Sequence, residues 1–171
     1  MRVRTFLLGD WDFRRAPGFP PKHAFAPLGS APAPIKPEAI GGYIELVVDE
    51  EDLIGPDFWG DLDDHWPFLV DYALRACRGE RVEERFPDFD VALIIAPRPD
   101  GRLAVTRGAG DTVPARTVVV GRDDFAGAIG QGALDFYEAV KRSNPKAAVG
   151  DAGDRAAANA LLRLAGLPPR E

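Results

Sequence analysis

The stretch GPDFWGDLDDHWPF, Gly55 to Phe68, gathers the residues of this chain best suited to chemistry. It sets Asp57, Asp61, Asp63 and Asp64 beside His65, one of two histidines, and holds Trp59 and Trp66. A hard cation takes several carboxylate oxygens at alternating positions, and Asp57, Asp61 and Asp63 follow roughly that rhythm. The closing glutamate of a calcium loop is missing. Zinc needs histidine or cysteine ligands close by, and His65 stands alone locally. His65 and Asp61 would make a general base if folding brought them together. A metal-dependent hydrolase with an Asp/His site between Asp57 and His65 is therefore one reading.

Helix capping accounts for part of the same stretch. Inside a helix Pro67 would remove a backbone donor and clash with the preceding turn, whereas the first turn tolerates it. The spacing predicts a helix with Asp64 as N-cap and Pro67 in that first turn. Asp63 and Asp64 would then meet the positive end of the helix dipole. Trp66 joins Leu69, Val70, Ala73, Leu74 and Cys77 in an apolar stripe of three- and four-residue spacing, and Gly79 supplies the stop.

Capping leaves most of the acid unused. Asp49, Glu50, Glu51, Asp52, Asp57, Asp61, Asp63 and Asp64 lie within sixteen positions that contain no Lys or Arg. The formal net charge is −6, so the rest of the chain sums to +2. An acidic loop needed only for solubility would mix signs. Large aromatics amid negative charge suit a surface that meets a basic protein, where charge steers the encounter and aromatics anchor it. The expected partner-binding set is Asp49, Glu50, Glu51, Asp52, Asp57, Phe58, Trp59 and Asp61. The competing reading is a solvated acidic loop with Phe58 tucked inward.

Other candidates are poorer. GAIGQGALD has glycines spaced like a dinucleotide fingerprint, but they fall inside a helical pattern, and no cofactor is expected. TRGAGDT lacks the Lys-Ser/Thr of a phosphate loop and reads as a hairpin end. Ser30 and Ser143 have no neighbouring histidine. Cys77 lies on the apolar stripe as inert core, and a single cysteine rules out an internal disulfide. No metal site is assigned.

The elements that must position these residues follow from periodicity. Arg2 to Phe13 and Gly42 to Asp49 read as strands, as do RVEERFP, FDVALIIAP, RLAVTRG and ARTVVVG, about six in all. RPDG joins two of them with Asp-Gly at its centre. Residues 14–41 form a Pro-rich arm, pinned by Phe19, Phe25 and Leu28, from which a regular helix or central strand is excluded. RDDFAGAIGQGALDFYEAVKRS is a helix capped by Asp123 or Asp124, with glycines that let it approach a sheet closely. Residues 154–166 form a docking helix, capped by Asp151 or Asp154 and stopped by Gly166. The expected fold is a single α+β domain over residues 1–171. Its mostly antiparallel sheet carries two or three helices on one face.

Net negative charge argues against nucleic acid as a partner. No apolar run approaches the length needed to cross a bilayer, and the short apolar N-terminus lacks a signal-peptide core. The cytoplasm is the expected compartment, and the Ala-, Arg- and Pro-rich composition suggests a GC-rich bacterial genome. In size, charge and element order the chain resembles the small acidic α+β proteins that serve as immunity partners to bacterial toxins. No motif specific to such a family is present, so the resemblance assigns no residue roles. The expected function is non-catalytic: an acidic loop that contacts a basic partner such as a toxin. A structural or oligomeric scaffold is the remaining alternative, and the sequence gives no oligomeric state.

Overall fold

The computed structural model describes residues 1–9, 20, 24–30, 40–87, 89–109, 114–143, 145–146 and 149–170. Within them lie nine strands and three α-helices. Strands β1 (Arg2–Leu8), β2 (Phe25–Pro27), β3 (Gly41–Val48), β4 (Glu51–Ile54) and β5 (Gly60–Asp61) precede helix α1 (Leu62–Cys77). Strands β6 (Val82–Arg85), β7 (Ala92–Pro97), β8 (Arg102–Arg107) and β9 (Arg116–Gly121) lead into α2 (Arg122–Ser143), and α3 (Ala152–Leu164) follows. The class is α+β, and every described strand pair is antiparallel.

All six segments read as strands do pair, but in two sheets. One runs β2-β1-β3-β4 with β5 also on β3, and the other is the meander β6-β7-β8-β9. Each sheet alternates so that one face is apolar. Ile44, Leu46 and Val48 from β3 and Leu93, Ile95, Leu103, Val105, Val118 and Val120 from the meander are all buried. α1 packs on β3 and β7, and α2 packs on β1 and β9, so the helices bridge both sheets. Burial is continuous across the sheets and all three helices, in one core cluster.

Three short strands lie where the sequence reads as loop. β2 falls in the Pro-rich arm, and as an edge strand it can carry Pro27. Phe25 is buried and Leu28 packs against the core, so this part of the arm is anchored; Phe19 and residues 31–39 lie outside the described residues. The first strand ends at Leu8, and residues 10–13 of the expected longer strand also lie outside them.

α3 follows its expected caps closely. The Asp151 carboxylate accepts from the amides of Gly153 at 2.7 Å and Asp154 at 3.0 Å, and Gly166 turns the chain at φ +70°. In α2 both Asp123 and Asp124 stand inside the first turn. At Gly130 α2 comes close to α3: a Cβ there would lie 2.9 Å from the Ala158 carbonyl oxygen. No helix of the described residues is long and apolar enough to cross a membrane.

Candidate partner-binding edge

The acidic stretch is an edge of the first sheet rather than a loop. Val48 pairs directly with Glu51, so Asp49 and Glu50 alone form the turn between β3 and β4. Both adopt left-handed backbone, with φ of 49° and 67°. This is the handedness that two-residue hairpins favour, but Asn or Asp followed by Gly is the usual choice. Aspartate tolerates the region, whereas glutamate carries its Cβ cost there.

Behind the turn, the second sheet grips β4. Arg116 pairs with Glu51 at 3.0 Å and donates to the Asp52 carbonyl at 3.1 Å. Its cross-strand neighbour Arg107, 9 % exposed, donates to the carbonyls of Leu53 at 3.2 Å and Pro114 at 2.6 Å. The Arg107 guanidinium also lies 5.4 Å from the Phe58 ring centroid. Burial and nearby Arg116 push Arg107 below its usual pKa, and Asp57 pulls the other way. These two arginines were not legible as part of the site. The only hint is that they flank the Gly-rich hairpin TRGAGDTVPAR as like charges.

After β4 the chain makes a 3-10 turn, Pro56–Phe58, that leaves Asp57 exposed. Phe58 corrects the expected binding set. It is 3 % exposed, edge-on to Phe86 at 5.9 Å and Phe89 at 5.3 Å, so it is core and offers no anchor to a partner. Trp59 is half-buried, and Asp61 is exposed at the N-cap position of α1. The expected cap is corrected as well. Asp64 is the third helical residue, and Pro67 lies inside the helix. Tertiary bonds explain the earlier start: Leu62, fully buried, donates to the Ile40 carbonyl at 2.9 Å, and Gly60–Asp61 pairs with Gly42 and Gly41. That docking outweighs a cost of about 3 kcal/mol for an interior proline. Asp63 and Asp64 remain in the first turn, where they meet the helix dipole.

The strand register also separates the charges. Asp49 and Glu50 sit beyond Val48, whereas Asp61 pairs with Gly41 at the other end of β3. Seven residue steps at about 3.4 Å place the two ends roughly 24 Å apart. That is about three Debye lengths at physiological salt, so the ends scarcely repel each other. Sixteen positions can carry eight carboxylates because the chain doubles back along β3.

The Asp/His candidates differ sharply in exposure. His65 is fully buried, its ring 4.9 Å from that of Phe86, while Asp57 and Asp64 face solvent. Among the described residues no three His, Cys, Asp or Glu side chains converge where they could hold a metal ion. The carboxylates fan out along an edge.

Comparison of the chain with protein-family models, with curated proteins and with solved structures found no match.

Proposed function

We propose that this is a non-catalytic binding protein that meets a basic protein along the edge running from the β3–β4 turn to the start of α1. One observation carries the reading. Asp49, Glu50, Asp52, Asp57 and Asp64 are exposed and form no side-chain ion pair among the described residues. Elsewhere among the described residues most carboxylates are engaged, exposed Asp124 being an exception: Asp71, Glu80 and Glu84 surround Arg75, Asp135 and Glu138 hold Arg170, and Glu45 serves Arg2 and Arg4. Uncompensated negative charge is thus concentrated at the edge, where it would steer a cationic surface. The most concrete form is an immunity-type inhibitor that offers carboxylates to a toxin cleft built for phosphates.

The test is affinity capture from the source organism with two charge variants. One carries Asp49→Asn, Glu50→Gln and Asp52→Asn; the other carries Asp57→Asn and Asp64→Asn. Glu51 is kept because Arg116 uses it. A basic protein held by the wild type at low salt and lost by either variant supports the proposal. Retention that ignores both variants, or no basic protein at all, overturns it. Because the ends lie far apart, their effects on affinity should add to within about 0.5 kcal/mol if one partner spans both.

A further inference from the structure

We propose that the pocket between the end of α1, the β7–β8 turn and the start of α2 binds a single phosphate-like oxyanion. Its volume is about 160 Å³, and Arg78, Arg98, Arg102 and Arg122 line it together with Cys77, Gly79 and Gly101. The four arginines come from three separate places in the fold. Arg78 closes α1, Arg98 and Arg102 flank the β7–β8 turn, and Arg122 opens α2. Gly79 at φ +98° and Gly101 at φ +77° make the chain reversals beside them.

Cations outnumber the carboxylates that pair with them at this pocket. Arg98 at 3.4 Å and Arg102 at 2.9 Å share one carboxylate, Asp100, and Arg122 rests on Asp123 at 3.3 Å. Arg78 has no ion pair among the described residues. Four guanidinium groups therefore face two carboxylates, whereas Arg75 alone meets three acids and Arg170 meets two. In an acidic chain, this local excess of cation is what a doubly charged anion would balance. Guanidinium forks match the geometry of phosphate oxygens and donate two parallel N–H bonds to them at a time.

Size narrows the ligand. Pockets for drug-sized molecules and cofactors run from about 300 to 1,000 Å³, so this one takes a single tetrahedral group. The helix dipole of α2 is not the source of affinity, since Asp123 and Asp124 already occupy its first turn. Recognition rests on the side chains.

The experiment titrates inorganic phosphate and, separately, O-phosphoserine into the full chain at fixed ionic strength, following backbone amide and arginine Nε resonances. Saturable shifts at Arg78, Gly79, Gly101, Arg102 and Arg122 are expected in at least one arm. Saturation by phosphate alone marks a free ion as the ligand, and saturation by phosphoserine alone marks a phosphorylated residue. Arg78→Gln should weaken the dissociation constant at least tenfold. Asp100→Asn keeps an oxygen for the Arg102 amide, now 3.2 Å from the aspartate, and should tighten binding several-fold by freeing two guanidinium groups. Linear shifts spread over all arginines, or an Asp100→Asn variant that binds no tighter, would overturn the proposal.

Discussion

Replacing Glu50 by glycine should stabilise the fold and weaken the proposed partner. Glu50 stands at φ 67°, exposed, as the second residue of a two-residue turn. A side chain in left-handed backbone costs about 1–2 kcal/mol. Glycine removes that cost but gives back about 0.5–1 kcal/mol through its greater freedom in the unfolded chain. The difference is a gain of about 0.5–1 kcal/mol, or a rise of roughly 1–4 °C in Tm for a chain of this length. Thermal and urea unfolding would measure it.

Glu50→Ala is the necessary control, because it removes the same charge and keeps the Cβ. Relief of repulsion with Asp49 would stabilise both variants alike, whereas backbone relief favours glycine alone. Equal midpoints for the two variants would refute the argument that glutamate is strained here. Asp49→Gly should gain less, since aspartate accepts the left-handed region more readily. A glutamate held where folding disfavours it, with its carboxylate in solvent, is the kind of residue retained for recognition.

Four further outcomes follow from packing and burial. Trp66→Ala should cost about 3–5 kcal/mol, because the ring is fully buried and lies 6.3 Å from Phe136; a urea midpoint within error of wild type would contradict its core placement. Gly130→Ala should destabilise by about 1–3 kcal/mol despite better helix propensity, because the new Cβ meets the rigid Ala158 carbonyl at 2.9 Å. At Gly127 the obstacle is the flexible Leu167 side chain at 3.1 Å, so Gly127→Ala should be neutral or stabilising in the same melts. Burial pushes the Cys77 thiol up to about 11 from its ordinary 9.0. Between those values the unfolded chain loses the thiol proton while the folded one keeps it, so stability should fall as pH rises through this window. Cys77→Ala should flatten that part of the stability profile, and an unchanged slope would count against burial as the cause.

Periodicity made the helices and six of the strands legible, because all but β6, which buries Val82 alone, present an apolar face to the core. What stayed hidden was set by contacts distant in sequence. Asp49-Glu50 lacks the glycine that announces a two-residue hairpin, so β4 reads as loop. The start of α1 depends on the Leu62 amide reaching the Ile40 carbonyl and on β5 pairing with β3, neither of which leaves a local pattern. Pro67 then pointed to a helix starting later than it does. An inward Phe58 was the competing expectation, and Phe86 and Phe89, about thirty residues downstream, supply the pocket that decides it. The density of acid was plain in the sequence. Its division into two ends was not, since only the register of β3 reveals it.

That division bears on what the edge can recognise. A metal ion needs several oxygens within a single coordination sphere, about 2–3 Å from one point. The two ends, roughly 24 Å apart, cannot share one ion, but together they can face a row of cations. A helix of about sixteen residues spans the same length at 1.5 Å per residue. With the ends screened from each other, each contributes its own share to steering, and salt should erode both together. Glu51 is the exception along the edge. Arg116 holds it at 3.0 Å and ties β4 to the second sheet, so its carboxylate serves the fold that presents its neighbours. On the proposed reading, neutralising Glu51 should loosen that seam before it weakens binding, whereas neutralising Asp49 or Asp52 should do the reverse.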